Sequence, residues 1–358
     1  MIFLWISYLL IMSINICVIK FMKIIVTGAA GFIGFHVVKK LIKLGYEVIG
    51  LDNINNYYDT NLKKRRLEYL KKLNKKFVFK KIDLRNFDQL KKIFIKNKIG
   101  KVVHLAAQAG VRYSLKNPHS YIENNINAFF NIIELSKIYK IKNFVYASTS
   151  SVYGANKNLP FSENKIADHP IQLYAASKRS NELIAHAYSS LYNLPTTGLR
   201  FFTAYGPWGR PDQAIFIFTK NILENKKINL FNNGNHSRDF TYIDDIVNAI
   251  YLCLKNIPKK NKKWNPLKPN PSSSLYPFRI FNIGSNKKVE LKKYVKIIEK
   301  ILNKKAKISL KPLQKGDVIH VSSSIKNIKN TLKYEPKTSV EDGVKNFVRW
   351  FLDYYEVK

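Results

Sequence analysis

A tyrosine and a lysine lie four residues apart in the run Tyr174-Ala175-Ala176-Ser177-Lys178. In a helix this spacing places the phenol and the ammonium group on one face. A free tyrosine titrates at about pH 10 and is a poor base at neutral pH. A lysine close by, together with an oxidised nicotinamide ring, favours the phenolate and lowers that pKa. The pattern therefore predicts a base for a hydroxyl proton, although alone it is also common in purely structural helices.

A glycine-rich turn near the start of the chain gives this pair its context. Gly28, Gly31 and Gly34 follow an apolar run at residues 23–26 and lead into a helical apolar pattern at residues 32–44. The first glycine allows a tight turn, the second lets the backbone approach a pyrophosphate, and the third lets the helix pack on the strand. Strand, turn and helix together predict a dinucleotide site, whereas a glycine triplet alone is a weak signal.

A carboxylate ends the second predicted strand, because Asp52 directly follows the strand predicted at residues 47–51. In this place it accepts hydrogen bonds from both ribose hydroxyls and repels a 2′-phosphate, which favours NAD over NADP. After the third strand, Asp83 can accept the adenine amino group, and small residues after the fourth let a flat cofactor lie close. The expected cofactor contacts are Gly28, Gly31, Phe32, Ile33, Gly34, Asp52, Asn53, Asp83, Leu84, Leu105, Ala106, Ala107, Tyr174 and Lys178.

Strands and helices alternate over the first 200 residues, with further strands predicted at residues 77–82, 101–105 and 143–147. This alternation predicts a Rossmann-type, doubly wound parallel α/β sheet with right-handed crossovers and with ligands at its C-terminal edge. The pattern is less regular from residue 201 on. We therefore expect an NAD-binding domain at residues 22–200 and a smaller α/β domain at residues 201–358, which mainly binds the substrate. An exposed linker rich in lysine, asparagine, proline and serine is expected at residues 256–277.

The first 21 residues are expected to lie outside this fold. Residues 1–19 carry no charge, and their length is near the lower end of what crosses a bilayer as a helix. One interpretation is a membrane anchor, with Lys20 and Lys23 keeping the catalytic part on the cytoplasmic side. The other is an upstream start, because Met22 directly precedes the first strand. The residues leave both interpretations open.

The 358-residue chain carries a net charge of +37, which would ordinarily indicate nucleic acid or an anionic membrane as partner. The lysines are scattered along the whole chain, however, so we expect them on solvated faces and expect no nucleic-acid partner. A positive field would still help to capture an anionic substrate. Cys17 and Cys253 show neither disulfide nor metal-ligand spacing, which predicts a reducing, cytoplasmic location and no metal.

From residue 22 to about residue 355 the chain resembles the extended short-chain dehydrogenases/reductases, in their nucleotide-sugar epimerase and dehydratase group. The motifs that carry this resemblance are Thr27-Gly28-Ala29-Ala30-Gly31-Phe32-Ile33-Gly34, His104-Leu105-Ala106-Ala107, Tyr174 with Lys178, and Arg238-Asp239-Phe240. Within the group the resemblance is strongest to bacterial UDP-glucuronate 4-epimerases of the capsule type. It lies in Leu51-Asp52-Asn53, Tyr57-Tyr58-Asp59 and residues 109–114, 202–212 and 239–245.

The end of the fifth strand distinguishes the relatives. The resemblance implies that Thr149 hydrogen-bonds the sugar O4 beside Tyr174. Sugar 4,6-dehydratases usually carry Asp-Glu at the positions of Ser150 and Ser151, and UDP-xylose synthases a glutamate at the position of Ser151; this chain has neither. UDP-glucose 4-epimerases have an asparagine where this chain has Thr203. The alternative that these hydroxyl residues are ordinary turn and strand polars remains open.

The resemblance thus implies an isomerase of nucleotide-sugar metabolism, serving polysaccharide synthesis. The expected reaction is NAD-dependent conversion of UDP-glucuronate to UDP-galacturonate through a 4-keto intermediate, with Thr149, Tyr174 and Lys178 as catalytic residues. A 4-epimerase acting on UDP-glucose or UDP-N-acetylglucosamine is one alternative. A non-catalytic NAD-binding scaffold is another, although it would have no use for a poised phenolate.

The resemblance also implies substrate contacts. Ser150, Ser151 and Thr203 would hold the sugar carboxylate, and Arg210 and Arg238 the diphosphate, because a guanidinium binds two oxygens at once. Asp317 lies in a loop that resembles the one contacting the uridine ribose, although Gln314 stands where some relatives have arginine. The family usually pairs the helices around residues 121–139 and 172–192 across a two-fold axis, which implies a homodimer.

Overall fold

The computed structural model describes residues 22–73 and 75–357. The apolar segment at residues 1–21 lies outside this range, as does Cys17 within it, so the two interpretations of that segment stay predictions. Within the described ranges, no helix combines the length and the apolar character that a membrane span needs.

The described residues contain thirteen strands and eleven helices. The strands are β1 (Lys23–Thr27), β2 (Val48–Asp52), β3 (Phe77–Lys81), β4 (Ile99–His104), β5 (Asn143–Thr149), β6 (Thr196–Phe201), β7 (Thr203–Tyr205), β8 (Lys227–Phe231), β9 (Ser237–Arg238), β10 (Phe240–Tyr242), β11 (Phe278–Ile283), β12 (Val289–Glu290) and β13 (Lys307–Lys311). The helices are α1 (Phe32–Lys43), α2 (Thr60–Leu73), α3 (Phe87–Lys96), α4 (Tyr113–Lys116), α5 (the consecutive segments His119–Tyr121, Ile122–Asn127 and Ala128–Ile138), α6 (Leu173–Tyr192), α7 (Ala214–Leu223), α8 (Ile243–Lys255), α9 (Leu291–Leu302), α10 (Lys326–Leu332) and α11 (Val340–Tyr355).

Seven strands form one parallel sheet in the order β11-β6-β5-β4-β1-β2-β3. The chain builds outward from β1 to β3 and then returns to add β4 on the other side of β1, so the topological switch lies between β1 and β4. In open α/β sheets, ligands bind outside the carboxyl ends of the strands at such a point. The predicted Rossmann-type parallel sheet is confirmed.

Helices cover both faces of this sheet, which explains why its strands are apolar on both sides. Ile25 and Val26 are neighbours in β1 and point to opposite faces, yet both are completely buried. Ile25 belongs to a core cluster with Phe129 of α5, whereas Val26 belongs to another cluster with Phe35 of α1. The sheet is therefore packed on both faces, and its C-terminal edge is left for ligands.

The helix predicted at residues 119–139 is continuous but contains a wider π-type turn at Ile122–Asn127. Asn125 lies in this turn and uses its side chain outside the helix. Its Oδ1 accepts a hydrogen bond from the Gln108 amide at 2.7 Å, and its Nδ2 donates to Ser177 Oγ at 3.0 Å. The irregular turn thus connects α5 to the loop after β4 and to α6, in keeping with the frequent occurrence of such turns at functional sites.

The region beyond residue 201 is more regular than the sequence analysis expected. It contains five helices and three two-stranded sheets, which pair β7 with β10, β9 with β12, and β8 with β13. Residues 256–277 contain no helix or strand, and Leu267 in this stretch is 89% exposed. After it, β11 returns to the main sheet beside β6. The domain boundary expected at residue 200 stays a prediction. One strand of the main sheet, β11, comes from the chain after this boundary.

Candidate active site

A cleft of about 370 Å³ opens at the C-terminal edge of the main sheet. All fourteen residues predicted to contact the cofactor line it. Thr149, Thr203 and Arg210 line it as well, so the predicted base, its neighbours and the predicted cofactor contacts share one space. Ser150, Ser151, Arg238 and Asp317 are not among the described residues that line it.

The glycine turn at the floor of the cleft requires its glycines. Gly28 has a φ of +68°, and a Cβ there would lie 2.9 Å from the amide nitrogen of Ala106. A Cβ on Gly34 would lie 2.0 Å from the carbonyl oxygen of Gly28. The close approach leaves the first turn of α1 facing the cleft, where its free amides and the helix dipole attract a pyrophosphate. This geometry fits a bound dinucleotide.

Thr27 ties the glycine turn to the loop after β4. Its Oγ1 accepts hydrogen bonds from the amides of Leu105 and Ala106, each at 3.1 Å, and lies 2.9 Å from His104 Nδ1. Burial, followed by the charge of Lys178, lowers the pKa of His104 to about 3, so the ring is neutral and can accept the threonine proton. Thr27 and His104 therefore hold the wall of the cleft in place, which explains their presence in the motifs of the sequence.

Asp52 keeps free acceptor sites although its carboxylate is bound to the backbone. Oδ1 accepts from the Ile54 amide at 2.8 Å and Oδ2 from the Ala30 amide at 3.1 Å. A carboxylate has about four lone-pair sites, so each oxygen can accept one further bond. Burial raises the pKa of Asp52, while the two amide hydrogen bonds and the charge of Lys63 oppose this. The arrangement fits the expected contact with two ribose hydroxyls.

Asp83 is expected to accept a hydrogen bond from the adenine amino group, but its acceptor sites are already occupied. Oδ1 accepts from the Arg85 amide and from Arg85 Nε, and Oδ2 from Arg85 Nη2 and from Asn53 Nδ2. Burial alone would raise the pKa of Asp83, but these hydrogen bonds outweigh it and hold the pKa below its usual value. An adenine amino group would therefore have to displace one of these donors, and Asn53 at 3.3 Å makes the longest of the four contacts.

Arg66 is a site residue that the sequence analysis missed. Its side chain is completely buried, and Nη1 donates to the carbonyl of Ala30 at 2.9 Å and to the hydroxyl of Tyr58 at 2.7 Å. Nη2 donates to the carbonyl of Trp208. One guanidinium thus joins the glycine turn to the loop that carries Arg210. The sequence feature that could have identified Arg66 is its position on the apolar face of α2, four residues after Leu62 and four before Leu70.

Tyr174 lies in the first turn of α6 and is hydrogen-bonded to Thr149 at the end of β5. Burial raises the pKa of its phenol, while this hydrogen bond and the charge of Arg210 act in the opposite direction. The cation that lowers this pKa is thus Arg210, whereas the sequence analysis expected Lys178 to do so. Without a bound cofactor the phenol is therefore protonated at neutral pH.

Lys178 lies one turn further along α6, is 1% exposed and lines the cleft. Burial lowers the pKa of its ammonium group to about 8, and the carboxylate of Glu182 opposes this shift. The structure therefore confirms that Tyr174 and Lys178 lie on one helix beside the cleft, and it adds a buried carboxylate one turn further on.

The three hydroxyl residues predicted to hold a carboxylate approach the site from two elements. Ser150 and Ser151 start a short 3₁₀ turn, Ser150–Tyr153, whose N-cap Thr149 accepts a hydrogen bond from the Ser151 amide. Thr203 begins β7, and its amide donates to the carbonyl of Asp239 at 3.0 Å. The structure thus places Thr149 and Thr203 on the cleft wall and the two serines directly behind Thr149.

The two arginines predicted to bind a diphosphate lie apart. Arg210 lines the cleft and forms a bidentate ion pair with Asp212, with N–O distances of 2.9 and 3.0 Å. Arg238 lies outside the described cleft lining, with Nη2 3.7 Å from Asp317 Oδ1. The other oxygen of Asp317 is 3.5 Å from Nη2 of Arg112, which the sequence analysis did not assign to the site.

The loop that carries Asp317 is linked to the reaction centre. Gln172, the N-cap residue of α6, donates a hydrogen bond from its side chain to the carbonyl of Gly316. Gln172 stands two residues before Tyr174. The group of Arg112, Arg238 and Asp317 therefore lies next to the start of α6.

Three comparisons identify relatives. The model of the NAD dependent epimerase/dehydratase family matches residues 24–266. Protein CapI of Staphylococcus aureus is 52% identical over 335 residues, covering 94% of this chain and 100% of that protein. A probable UDP-glucuronate 4-epimerase of Rhizobium meliloti is 43% identical over 333 residues, covering 92% and 97%. The crystal structure of UDP-glucuronic acid 4-epimerase from Bacillus cereus, in complex with UDP-glucuronic acid and NAD, matches with a TM-score of 0.83 and 34% identity, covering 93% and 100%.

Proposed function

The chain belongs to the NAD-dependent epimerase/dehydratase family, and we propose that it converts UDP-glucuronate to UDP-galacturonate. One observation carries this proposal: the cleft brings Tyr174, Thr149 and Lys178 together beside a dinucleotide cradle. The residues next to Thr149 are hydroxyls, not the carboxylates that elimination or decarboxylation requires. The enzyme is therefore an isomerase acting on a nucleotide sugar.

The cofactor that fits the cleft is NAD. The glycine turn would hold its pyrophosphate, and the two free acceptor sites of Asp52 would take the ribose hydroxyls. The carboxylate would repel the 2′-phosphate of NADP. Bound there, NAD would supply the acceptor and the later donor of the hydride at C4 of the sugar, with no net change of the cofactor.

Tyr174 moves the proton. Its phenolate removes the proton of the C4 hydroxyl, and Thr149 holds the same oxygen by a hydrogen bond. The charge of Arg210 favours the phenolate in a site where burial opposes it. We propose that the positive charges of Lys178 and of the oxidised cofactor add to this effect once the cofactor is bound. After the 4-keto sugar has turned its other face towards the cofactor, Tyr174 returns the proton to the C4 oxygen.

The three hydroxyl residues control a side reaction. A 4-keto sugar with a carboxylate at C6 is a β-keto acid, which loses CO₂ when the carboxylate bond aligns with the carbonyl π system. Ser150, Ser151 and Thr203 would hold the carboxylate in another orientation without supplying a proton at C5. Their hydroxyls donate hydrogen bonds but carry no charge, so they suit a carboxylate substrate.

The nucleotide end of the substrate would lie near Asp317. Arg210 and Arg238 are proposed to bind the diphosphate, and Asp317 the uridine ribose. Arg210 is paired with Asp212 in this structure, so the diphosphate would compete with that carboxylate for its guanidinium. Arg238 is 3.7 Å from Asp317, and its Nη1 donates hydrogen bonds to the carbonyls of Ser237 and Ile319, each at 3.0 Å, which leaves Nη2 as the nitrogen available to an anion.

The proposal is tested by incubating the enzyme separately with UDP-glucuronate and with UDP-glucose and resolving the products by proton NMR. We expect UDP-galacturonate from the first and little product from the second. Turnover of UDP-glucose alone would replace the proposed substrate with the alternative one. Turnover of neither, with NAD bound, would favour a scaffold over an enzyme.

We also propose a homodimer. Helices α5 and α6 carry large apolar side chains that are about half exposed in the single chain, among them Phe130 at 48% and Leu183 at 56%. A second copy would cover them across a two-fold axis.

The cytoplasmic location stays a prediction. Burial raises the pKa of the Cys253 thiol to about 12, so this cysteine is unreactive.

A further inference from the structure

Glu182 lies one turn after Lys178 on α6, and its side chain is completely buried. Oε1 accepts hydrogen bonds from Ser148 Oγ at 2.6 Å and from Arg200 Nε at 2.9 Å. Oε2 accepts from Arg200 Nη2 at 2.8 Å and from Arg179 Nη1 at 3.0 Å. These four donors occupy the four lone-pair sites of the carboxylate. Its position is therefore fixed by α6 and by two strands at once.

The two strands involved are those that form the reaction centre. Ser148 directly precedes Thr149 at the end of β5, and Ser148 is paired with Arg200 of β6 in the register of the sheet. Through Ser148 and Arg200, Glu182 connects the strand end that carries Thr149 to the helix that carries Tyr174. The hydrogen bond between Thr149 and Tyr174 spans the same gap between β5 and α6.

Glu182 is also the anion that faces Lys178. The titratable groups that interact with Lys178 are Glu182, one turn further along α6, and His104 of β4, while Tyr174 lies one turn before Lys178 on the same helix. His104 is neutral, because burial lowers its pKa to about 3, and the Tyr174 phenol is neutral until it gives up its proton. Within the described part of the chain, Glu182 is thus the group that favours the charged form of Lys178.

The other charged or titratable groups around Glu182 do not provide a negative charge for Lys178 in its place. Arg200 is completely buried and binds Glu182 through two nitrogens, and Arg179 divides its guanidinium between Glu182 and Asp168. Tyr146 of β5 is buried and neutral, since burial and the charge of Glu182 raise the pKa of its phenol. Loss of the carboxylate would leave Lys178 and Arg200 as buried cations without the carboxylate that Arg200 binds directly, which is strongly unfavourable.

We propose that Glu182 is a positioning residue of the reaction centre, which fixes the end of β5 against α6 and keeps the ammonium group of Lys178 charged at the cleft. This inference rests on the proposed function, because it concerns the same tyrosine and lysine. It assigns a task to a carboxylate that touches neither the cleft nor the reacting atoms.

The test compares E182Q and S148A with the wild type and with E299Q, a matched change in α9 far from the cleft. E182Q removes the charge, and S148A removes the hydrogen bond from β5, at a residue that also lines the cleft. For E182Q we expect the alkaline limit of kcat to move to lower pH by about one unit or more. For S148A we expect kcat to fall about tenfold with this limit unchanged, because one charge-assisted hydrogen bond is lost. E299Q should match the wild type.

NAD affinity of the NAD-free protein, titrated between pH 6 and 10, gives a readout that does not need turnover. In E182Q we expect affinity to fall at a lower pH than in the wild type. An E182Q protein that folds and keeps both wild-type alkaline limits, in kcat and in NAD affinity, would overturn the proposal even if it were slower or less stable. If E182Q does not fold, S148A decides: a tenfold loss of kcat with wild-type NAD affinity supports the proposal, and either wild-type kcat or a loss of NAD affinity overturns it, because Ser148 also lines the cleft.

These measurements separate the two proposals. If the wild type turns over neither UDP-glucuronate nor UDP-glucose, the proposed function fails, and the NAD titrations of E182Q still decide on Glu182. If the wild type is active and E182Q behaves like it at every pH, the function stands and the role of Glu182 is withdrawn.

Discussion

The hydroxyl oxygen of Thr149 lies 3.2 Å from the hydroxyl oxygen of Ser151, and the first donates a hydrogen bond to the second. The residue proposed to hold the C4 oxygen is thus in direct contact with one proposed to hold the C6 carboxylate. A change in how the C6 carboxylate is held therefore affects the position of the C4 oxygen through the single hydrogen bond between Thr149 and Ser151.

The double variant with Ser151→Ala and Thr203→Ala should both slow epimerisation and release CO₂ with a 4-keto pentose. Each lost hydrogen bond to a charged group is worth roughly 1.5–3 kcal/mol, which is enough to alter the ratio of products. The products are followed by NMR and the gas by CO₂ release. Ser180→Ala, a serine of α6 outside the cleft lining, serves as control. A double variant that epimerises more slowly but releases no more CO₂ than the wild type would show that these hydroxyls do not hold the carboxylate.

The variant Tyr174→Phe should keep the fold and NAD binding but lose epimerisation, because the proton acceptor is gone. General base catalysis is worth roughly 10²–10⁴-fold in rate, so the loss should be at least about 100-fold. Turnover of UDP-glucuronate is measured beside Tyr192→Phe, an exposed tyrosine at the end of the same helix. Activity within a few-fold of the wild type would exclude Tyr174 as the base.

Replacement of Asp52 by asparagine should weaken NAD binding and narrow the preference for NAD over NADP. The amide accepts through one oxygen only and does not repel a 2′-phosphate. Loss of a charged acceptor predicts a rise in the NAD dissociation constant of about tenfold or more. Isothermal titration with both cofactors measures this, with Asp59→Asn as an exposed control. An unchanged ratio of the two dissociation constants would contradict the assignment of Asp52.

The activity should fall as the pH rises above about 8. Burial lowers the pKa of Lys178 to about 8, so the lysine is charged below this pH and loses its proton as the pH rises through it. The charged form is the one that favours the Tyr174 phenolate. The check is kcat/KM between pH 6 and 10 for the wild type, Lys178→Met and Lys345→Met, the last an exposed control. A wild-type profile that is flat from pH 7 to 10 would show that the charge of Lys178 is not needed.

The chain starting at Met22 should be a dimer, and Leu183→Glu should make it monomeric. Leu183 is 56% exposed on α6, and a carboxylate there would be buried against the second copy. Light scattering at micromolar concentration gives the mass. The control is Leu267→Glu, because Leu267 is 89% exposed in the stretch at residues 256–277. A monomeric wild type would remove the proposed interface.

The first 200 residues were predictable because their strands are apolar and their boundaries carry clear signals. Asn86 caps α3 by accepting from the Gln89 amide, and the glycine turn begins α1. Several elements after residue 201, among them α7 and the shortest strands, were missed for a physical reason. In Ala214–Leu223 the apolar residues surround the helix on most sides, so the helical period is weak. Several strands there have only two or three residues and are defined by their partners alone.

The places of the glycines and of Tyr174 at the cleft could be predicted, because each belongs to a local pattern of residue types at fixed spacing. Prediction of the site was incomplete where function depends on contacts between distant parts of the chain. Arg112 and Asp317 are 205 residues apart in sequence and 3.5 Å apart in space. The acceptor sites of Asp83 are occupied by Arg85, a neighbour whose side-chain direction no pattern specifies.

The position of β11 has a consequence for how the protein is made. Residues 278–283 supply the seventh strand of the sheet beside β6, whose residues end 77 positions earlier. While the chain emerges from the ribosome, β6 is therefore an open edge until residue 283 has left the exit tunnel, and open edges promote association between chains. Slow translation between residues 201 and 283 would prolong this exposure. A cut at residues 256–277 in the finished protein would leave two fragments held together by the sheet.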